Sequence, residues 1–197
     1  MGAPQRLVIG LTGETGAVYG VRMLELLRPT PVETHAVVCD CVRRALPVEV
    51  GREAEEVLDL ADRIYGEWNQ AARISSGSFL TLGMVVAPCS QRSLGSIALG
   101  YANTLIHRAA DVTMKEGRPL VLMIAADSLE DADPRHVRRL EQVPGVSLWA
   151  SPTTDALPRV DAMVREVLDG FGIEVDAGGR STPELDGIAE RSVPEIA

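Results

Sequence analysis

The chain has 197 residues, 46% of them apolar and 24% charged, an ordinary globular composition with length enough for one large domain and a genuine core. Its formal net charge of −9 disfavours nucleic acid and anionic membrane surfaces as partners. The opening Met-Gly-Ala-Pro-Gln-Arg lacks a signal peptide's apolar core, no stretch approaches a bilayer span, and Cys39, Cys41 and Cys89 with three scattered histidines point to reduced thiols in a cytoplasmic setting and to no metal site.

Residues 6–12 (RLVIGLT) form a short apolar run closed by Gly13 and read as a buried strand. A helix is expected over 17–28, where Ala17, Gly20, Val21, Leu24 and Leu27 recur at helical spacing before Pro29 and Pro31. Residues 33–38 (ETHAVV) read as a second strand and 39–46 as a short helix ended by Pro47. Residues 52–68 read as a charged amphipathic helix with Val57, Leu60 and Ile64 inward. Further strands are expected at 84–87, 119–125 and 146–149. Helices are expected within 93–117, over 134–142, and over 158–171 with Val160, Met163, Val164 and Val167 on the apolar side.

Strands alternating with helices imply a three-layer α/β fold, Rossmann-like or flavodoxin-like, with a parallel sheet and helices on both faces. Ligands of such sheets lie beyond the carboxyl ends of the strands. The domain is expected to cover 1–176. Over 177–197 glycine, proline, serine and acidic residues replace the periodicity, so a tail is expected, mobile or packed on a neighbouring subunit.

Two turns carry candidate chemistry. Gly13-Glu14-Thr15-Gly16 joins the first strand to the first helix, and its glycines permit a tight turn that offers helix N–H groups to an anion. A structural turn explains it equally well, and the spacing is not the GxGxxG of dinucleotide sites. Ser90-Gln91-Arg92-Ser93 follows a buried strand and combines hydroxyls, a guanidinium and a helix start, which suits a phosphate; plain capping by Ser93 is the alternative. A third stretch, Ser75-Ser76-Gly77-Ser78, reads as a loop near a ligand or a simple connector. His35 is expected to pack in the core, and Trp68 and Trp149 to serve packing or an interface.

The stretches ISSGSF, LGMVVAPCS and LIHRAADVTMKE followed by RPLVL, with LTGETGAVYGVRMLELL near the amino terminus, resemble the UbiX-type flavin prenyltransferases over residues 6 to 175. The resemblance implies an FMN-binding flavoprotein whose cofactor lies at a subunit interface, in trimers that assemble into dodecamers. It implies transfer of a dimethylallyl group from dimethylallyl phosphate to reduced FMN, without a metal, for a partner decarboxylase. By the same resemblance Gly13, Glu14, Thr15, Gly16, Cys39, Ser90, Gln91, Arg92, Ser93 and Arg108 are cofactor-binding candidates. Thr15, Glu49 and Lys115 are catalytic candidates, Lys115 matching the lysine that meets the prenyl phosphate.

The chain departs from that family around the prenyl donor. Ala125-Ala126 stands where the family has Arg-Glu, SLWASPTTDALPR replaces a loop that supplies a phosphate-binding tyrosine, and Glu166 takes the place of an arginine beside Arg165. Each charge-assisted contact to a phosphate is worth roughly 1.5–3 kcal/mol, so the pattern reads as a flavin site kept and a donor site remodelled, with Arg159 or Arg165 as candidate replacement cations. An FMN-dependent oxidoreductase or decarboxylase on another small molecule, and a non-enzymatic flavin carrier, stay open at this level. The Pro-Ala-Ser-Ala-Asn-Thr loop of the cysteine decarboxylases is absent.

Overall fold

The structure, a computed structural model, describes residues 4–13, 15–152 and 157–175. Its centre is a sheet of six parallel strands: β1 (Arg6–Leu11), β2 (Glu33–Val38), β3 (Arg63–Gly66), β4 (Gly83–Val86), β5 (Leu120–Ala125) and β6 (Val146–Ser151). They lie in the order β3-β2-β1-β4-β5-β6. β1 therefore pairs with β2 on one side and β4 on the other. The chain winds outward from β1 to β3, then returns past β1 to start the second half. The switch in direction falls between the carboxyl ends of β1 and β4, where such folds open a crevice.

Helices cover both faces: α1 (Ala17–Leu27), α2 (Asp40–Glu49), α3 (Ala54–Leu58), α4 (Gln91–Leu99), α5 (Leu105–Lys115), α6 (Ala126–Glu130), α7 (Pro134–Glu141) and α8 (Leu157–Asp169). The strand period of two sorts side chains between two cores. Leu7, Ile9, Leu11, Val85 and Met123 join α1, α2, α3 and α8, whereas Val8, Met84, Val86, Leu122 and Ile124 join α4, α5 and α7. Burial on both faces explains why the central strands read as unbroken apolar runs. Among the described residues no helix is long and apolar enough to cross a membrane.

The structure corrects the sequence reading in the 52–68 segment. It holds a five-residue helix, α3, and the edge strand β3, which pairs with β2 from His35↔Arg63 to Val38↔Gly66. The outward-facing charges of an edge strand imitate the polar face of a helix. Pro47 lies inside α2 rather than ending it; in the last turn the missing N–H removes one bond while the ring's fixed φ still suits a helix. Residues 93–117 resolve into α4 and α5, parted by Gly100 in the left-handed region at φ 75°. The short helix α6, unforeseen in the sequence, starts directly from the end of β5. Cys39 and Cys41 are joined by a disulfide rather than left as separate thiols. His35 is buried as expected, with Nδ1 2.9 Å from the Tyr65 hydroxyl and its ring edge against Phe79. The expected tail over 177–197 and Glu14 lie outside the described residues.

Candidate functional site

A cavity of about 890 Å³ opens over the carboxyl edge of the sheet. Its walls come from the turns after four strands: Thr12, Gly13 and Thr15 after β1; Cys39, Asp40 and Cys41 after β2; Glu67 and Trp68 after β3; Cys89 to Ser93 after β4. Arg44, Ser96, Ala125 and Ser128, with Asn103, Thr104 and His107 around the start of α5, complete it. Both turns picked out in the sequence thus meet at one opening.

The two turns are tied together at the switch point. The amides of Thr12 and Gly13 donate to the Pro88 carbonyl at 2.9 and 3.2 Å, and the Thr12 hydroxyl accepts from the Ser90 amide at 3.0 Å. Small residues make the approach possible. A Cβ on Gly20 would lie 2.2 Å from the Ala87 carbonyl oxygen, which forces glycine where α1 crosses the end of β4. Gly16 caps α1 at φ 88°, a left-handed conformation open chiefly to glycine.

At the start of α1 the structure supplies its own anion. The carboxylate of Glu49, at the end of α2, accepts from the amides of Gly16 and Ala17, the latter at 3.0 Å. The positive end of this helix, offered to a ligand by the sequence reading, is therefore filled from within. Glu49 does not line the cavity, although Gly13 and Thr15 do.

The start of α4 is different. Ser90 caps it, accepting from the Ser93 amide at 3.2 Å, so Ser90 rather than Ser93 is the cap. The Ser90 hydroxyl donates to Ser93 Oγ at 3.1 Å, and Ser93 Oγ lies 3.1 Å from Nε2 of His107. His107 is buried, its Nδ1 has no partner among the described residues, and burial holds its pKa below the ordinary value. No acidic side chain stands in the first turn of α4. Gln91, exposed on the cavity wall, donates to the Ser128 carbonyl at 2.8 Å.

Two guanidiniums, Arg92 and Arg44, line the cavity and have no ion pair among the described residues. Arg44 was not among the sequence candidates. Once α2 is known to begin at Asp40, Arg44 falls three residues after Cys41 and four after Asp40, so all three share a helix face. The missing signal was the helix start, which fixes the phase. Thr12 was missed for a related reason: its role depends on β4 lying beside β1.

Other candidates lie elsewhere. Arg108 donates to the Ser75 carbonyl at 3.2 Å and pairs with Asp111 at 3.0 Å, and Lys115 pairs with the same carboxylate at 2.8 Å. This cluster on α5 and the serine loop around Gly77 are outside the cavity, the loop being held by Arg118 through the carbonyls of Gly77 and Phe79. Ala125 lines the cavity where the family pattern expects arginine, and Glu166 is exposed on α8. Arg165 is committed to Asp161 at 2.6 Å and to the Val175 carbonyl at 2.8 Å, so it is no spare cation.

The donor set suits a flavin nucleotide. A helix start with no acidic residue in its first turn, two serine hydroxyls and two guanidiniums without an ion pair among the described residues fit a phosphomonoester, and a cavity of about 890 Å³ has room for the ring system. Among the described residues no group of His, Cys, Asp and Glu side chains is arranged to hold a metal.

Residues 2–169 match the model of the flavoprotein family. The chain is 41% identical over 184 residues to a probable UbiX-like flavin prenyltransferase of Bacillus subtilis (strain 168), covering 91% of this chain and 90% of the relative. Among solved structures it resembles a dodecameric FMN-dependent UbiX-like decarboxylase from Escherichia coli O157:H7, with TM-score 0.78, 37% identity, and 91% and 100% of the two chains covered. It also resembles AnUbiX in complex with FMN and dimethylallyl pyrophosphate, with TM-score 0.78 and 33% identity, over 87% of this chain and 94% of that one.

Proposed function

This chain belongs to the flavoprotein family and, within it, to the UbiX-like flavin prenyltransferases, and from that membership we propose that it binds FMN in the cavity and prenylates it. The reaction joins the dimethylallyl group of dimethylallyl phosphate to N5 and C6 of reduced FMN, for use by a partner decarboxylase. Bound reduced FMN supplies the nucleophile; the protein supplies binding, orientation and charge. The observation that carries the proposal is the open start of α4, where Ser90, Ser93 and the unpaired Arg92 and Arg44 face one cavity at the switch point.

In this reading Ser90, Ser93, Arg92 and the amides of α4 hold anionic oxygens. Gln91 braces the rim through Ser128. Gly13, Thr15 and Cys39 line the flavin, with the loop fixed by Gly16. Glu49 acts as a positioning residue, because its carboxylate holds the Gly16 and Ala17 amides. Arg44 takes over part of the charge that Ala125 and Glu166 no longer supply.

Arg108 and Lys115 complete the site in trans, from a second copy. Their position with Asp111 outside the chain's own cavity supports this, as do the exposed apolar side chains of Trp68, Leu99 and Tyr101. The proposed assembly is a homo-oligomer built on trimers, extending to a dodecamer like that of the Escherichia coli relative. A cytoplasmic setting is part of the same proposal.

Mixing the protein with FMN, dithionite and dimethylallyl phosphate, then reading the flavin's mass, tests the transferase. A flavin heavier by one dimethylallyl unit is expected. An unchanged flavin mass at millimolar donor excludes it. The alternative, an FMN-dependent oxidoreductase or decarboxylase acting on another small molecule, is favoured by one observation: Ala125 faces the cavity with no charge to offer a leaving phosphate. Reduction of bound flavin by a candidate substrate in stopped flow separates that reading from prenyl transfer.

A further inference from the structure

The disulfide Cys39–Cys41 forms part of the cavity wall, beside Gly13 and Thr15. We propose that this pair is a dithiol/disulfide couple that exchanges two electrons with the flavin in the same cavity, giving the protein a thiol–flavin redox activity in addition to prenyl transfer. The proposal rests on the FMN-binding reading above.

Three observations carry it. The bridge spans only two positions in the sequence, and so short a loop restrains the unfolded chain little compared with a long one. Stabilising the fold is therefore a poor reason for it. Its position is also asymmetric, as an exchanging pair requires: Cys39 is 6% exposed whereas Cys41 is half-buried, and both reach the cavity.

The reduced state, finally, is provided for. Cys39 caps α2, and its sulfur accepts from the Val42 amide at 3.4 Å, a contact that favours thiolate character at a helix start. The Thr12 carbonyl lies 3.8 Å from Sγ of Cys39 and 3.3 Å from Sγ of Cys41, so each sulfur has an acceptor waiting once it carries a proton. The third cysteine offers a contrast. Cys89 also borders the cavity but is 2% exposed, and burial pushes its thiol up to about 12, which leaves it protonated and unreactive.

The exchange balances without another reagent. Reduced FMN gives up two electrons and two protons; the bond between the two sulfurs breaks, and each sulfur gains one electron and one proton. The products are oxidised FMN, Cys39–SH and Cys41–SH. The reverse direction reduces FMN at the expense of the dithiol, which places the pair as a local electron store for a cofactor that must be reduced before it is prenylated.

The test approaches one equilibrium from both sides under argon. Disulfide-form protein receives photoreduced FMN, and dithiol-form protein receives oxidised FMN. Flavin absorbance is followed, and acid-quenched samples are alkylated and mapped by mass. Both mixtures are expected to reach the same flavin spectrum, with one flavin reoxidised per pair of new thiols located at positions 39 and 41. Cys41→Ser is expected to abolish the exchange, and Cys39→Ser serves as the second variant. Flavin that binds but never exchanges, or a pair that diamide fails to oxidise, overturns the proposal while leaving FMN binding intact. Absence of FMN uptake in a separate titration overturns both readings.

Discussion

Two strand-to-helix turns stand side by side at the switch point, and in the sequence they look like equivalent anion sites. After β1, Gly13 to Gly16 leads into a helix whose first amides are taken by Glu49. After β4, Ser90 to Ser93 leads into a helix with no acidic residue in its first turn and an Arg92 that has no ion pair among the described residues. The caps differ as well: Gly16 is left-handed and offers no side chain, whereas Ser90 is extended and caps through its hydroxyl. What separates a closed helix end from a receptive one is a carboxylate 33 residues away from its target.

The comparison is exposed to experiment in order of expected effect. Gly20→Val should be the most damaging change, because the new side chain meets the Ala87 carbonyl and pushes the two turns apart. A loss of about 3 kcal/mol in urea unfolding is expected, the upper end for overpacking; a loss below about 1 kcal/mol means the turns are not rigidly joined. Next comes Arg92→Ala, which should weaken FMN binding roughly tenfold, the lower end for a charge-assisted contact at an exposed side chain. Unaltered affinity in a fluorescence titration would remove the receptive turn from the phosphate.

Glu49→Gln should act unequally on stability and on FMN affinity. Losing the charge at the start of α1 should cost about 1 kcal/mol of stability, whereas FMN affinity should change less than for Arg92→Ala. A larger effect on FMN than on unfolding would show that the closed turn also meets the ligand. The smallest effect concerns pH. Burial lowers the pKa of His107 from 6.5, so the unfolded chain takes up a proton more readily than the folded one. Stability is full above about pH 6.5 and falls with acidification until His107 itself is protonated. His107→Gln should flatten that decline in urea midpoints taken between pH 7.5 and 5; a slope identical to the parent's rejects the assignment.

Much of the fold is legible because β1, β4 and β5 are buried on both faces, and continuous apolar runs such as LVLMIA have few other uses. β3 was not, since an edge strand is stabilised by pairing with β2, a non-local event, while its side chains stay exposed. At the site, Ser90 and Arg92 could be read because they sit within a single turn. Thr12, Glu49 and Arg44 act across the sheet or through the phase of a helix, and their partners are fixed only when the chain has folded. Arg108 and Lys115 show the converse: motif resemblance marks them, yet the fold of one chain holds them at a distance from the cavity.

The hydroxyl of Thr12 belongs to the first winding of the sheet, and the amide it receives belongs to the second. With the Thr12 and Gly13 amides on the Pro88 carbonyl, that bond ties the two halves together at the carboxyl edge of the sheet. The Thr12 carbonyl faces both sulfurs of the Cys39–Cys41 pair, so the residue whose side chain receives the Ser90 amide also borders the disulfide with its backbone.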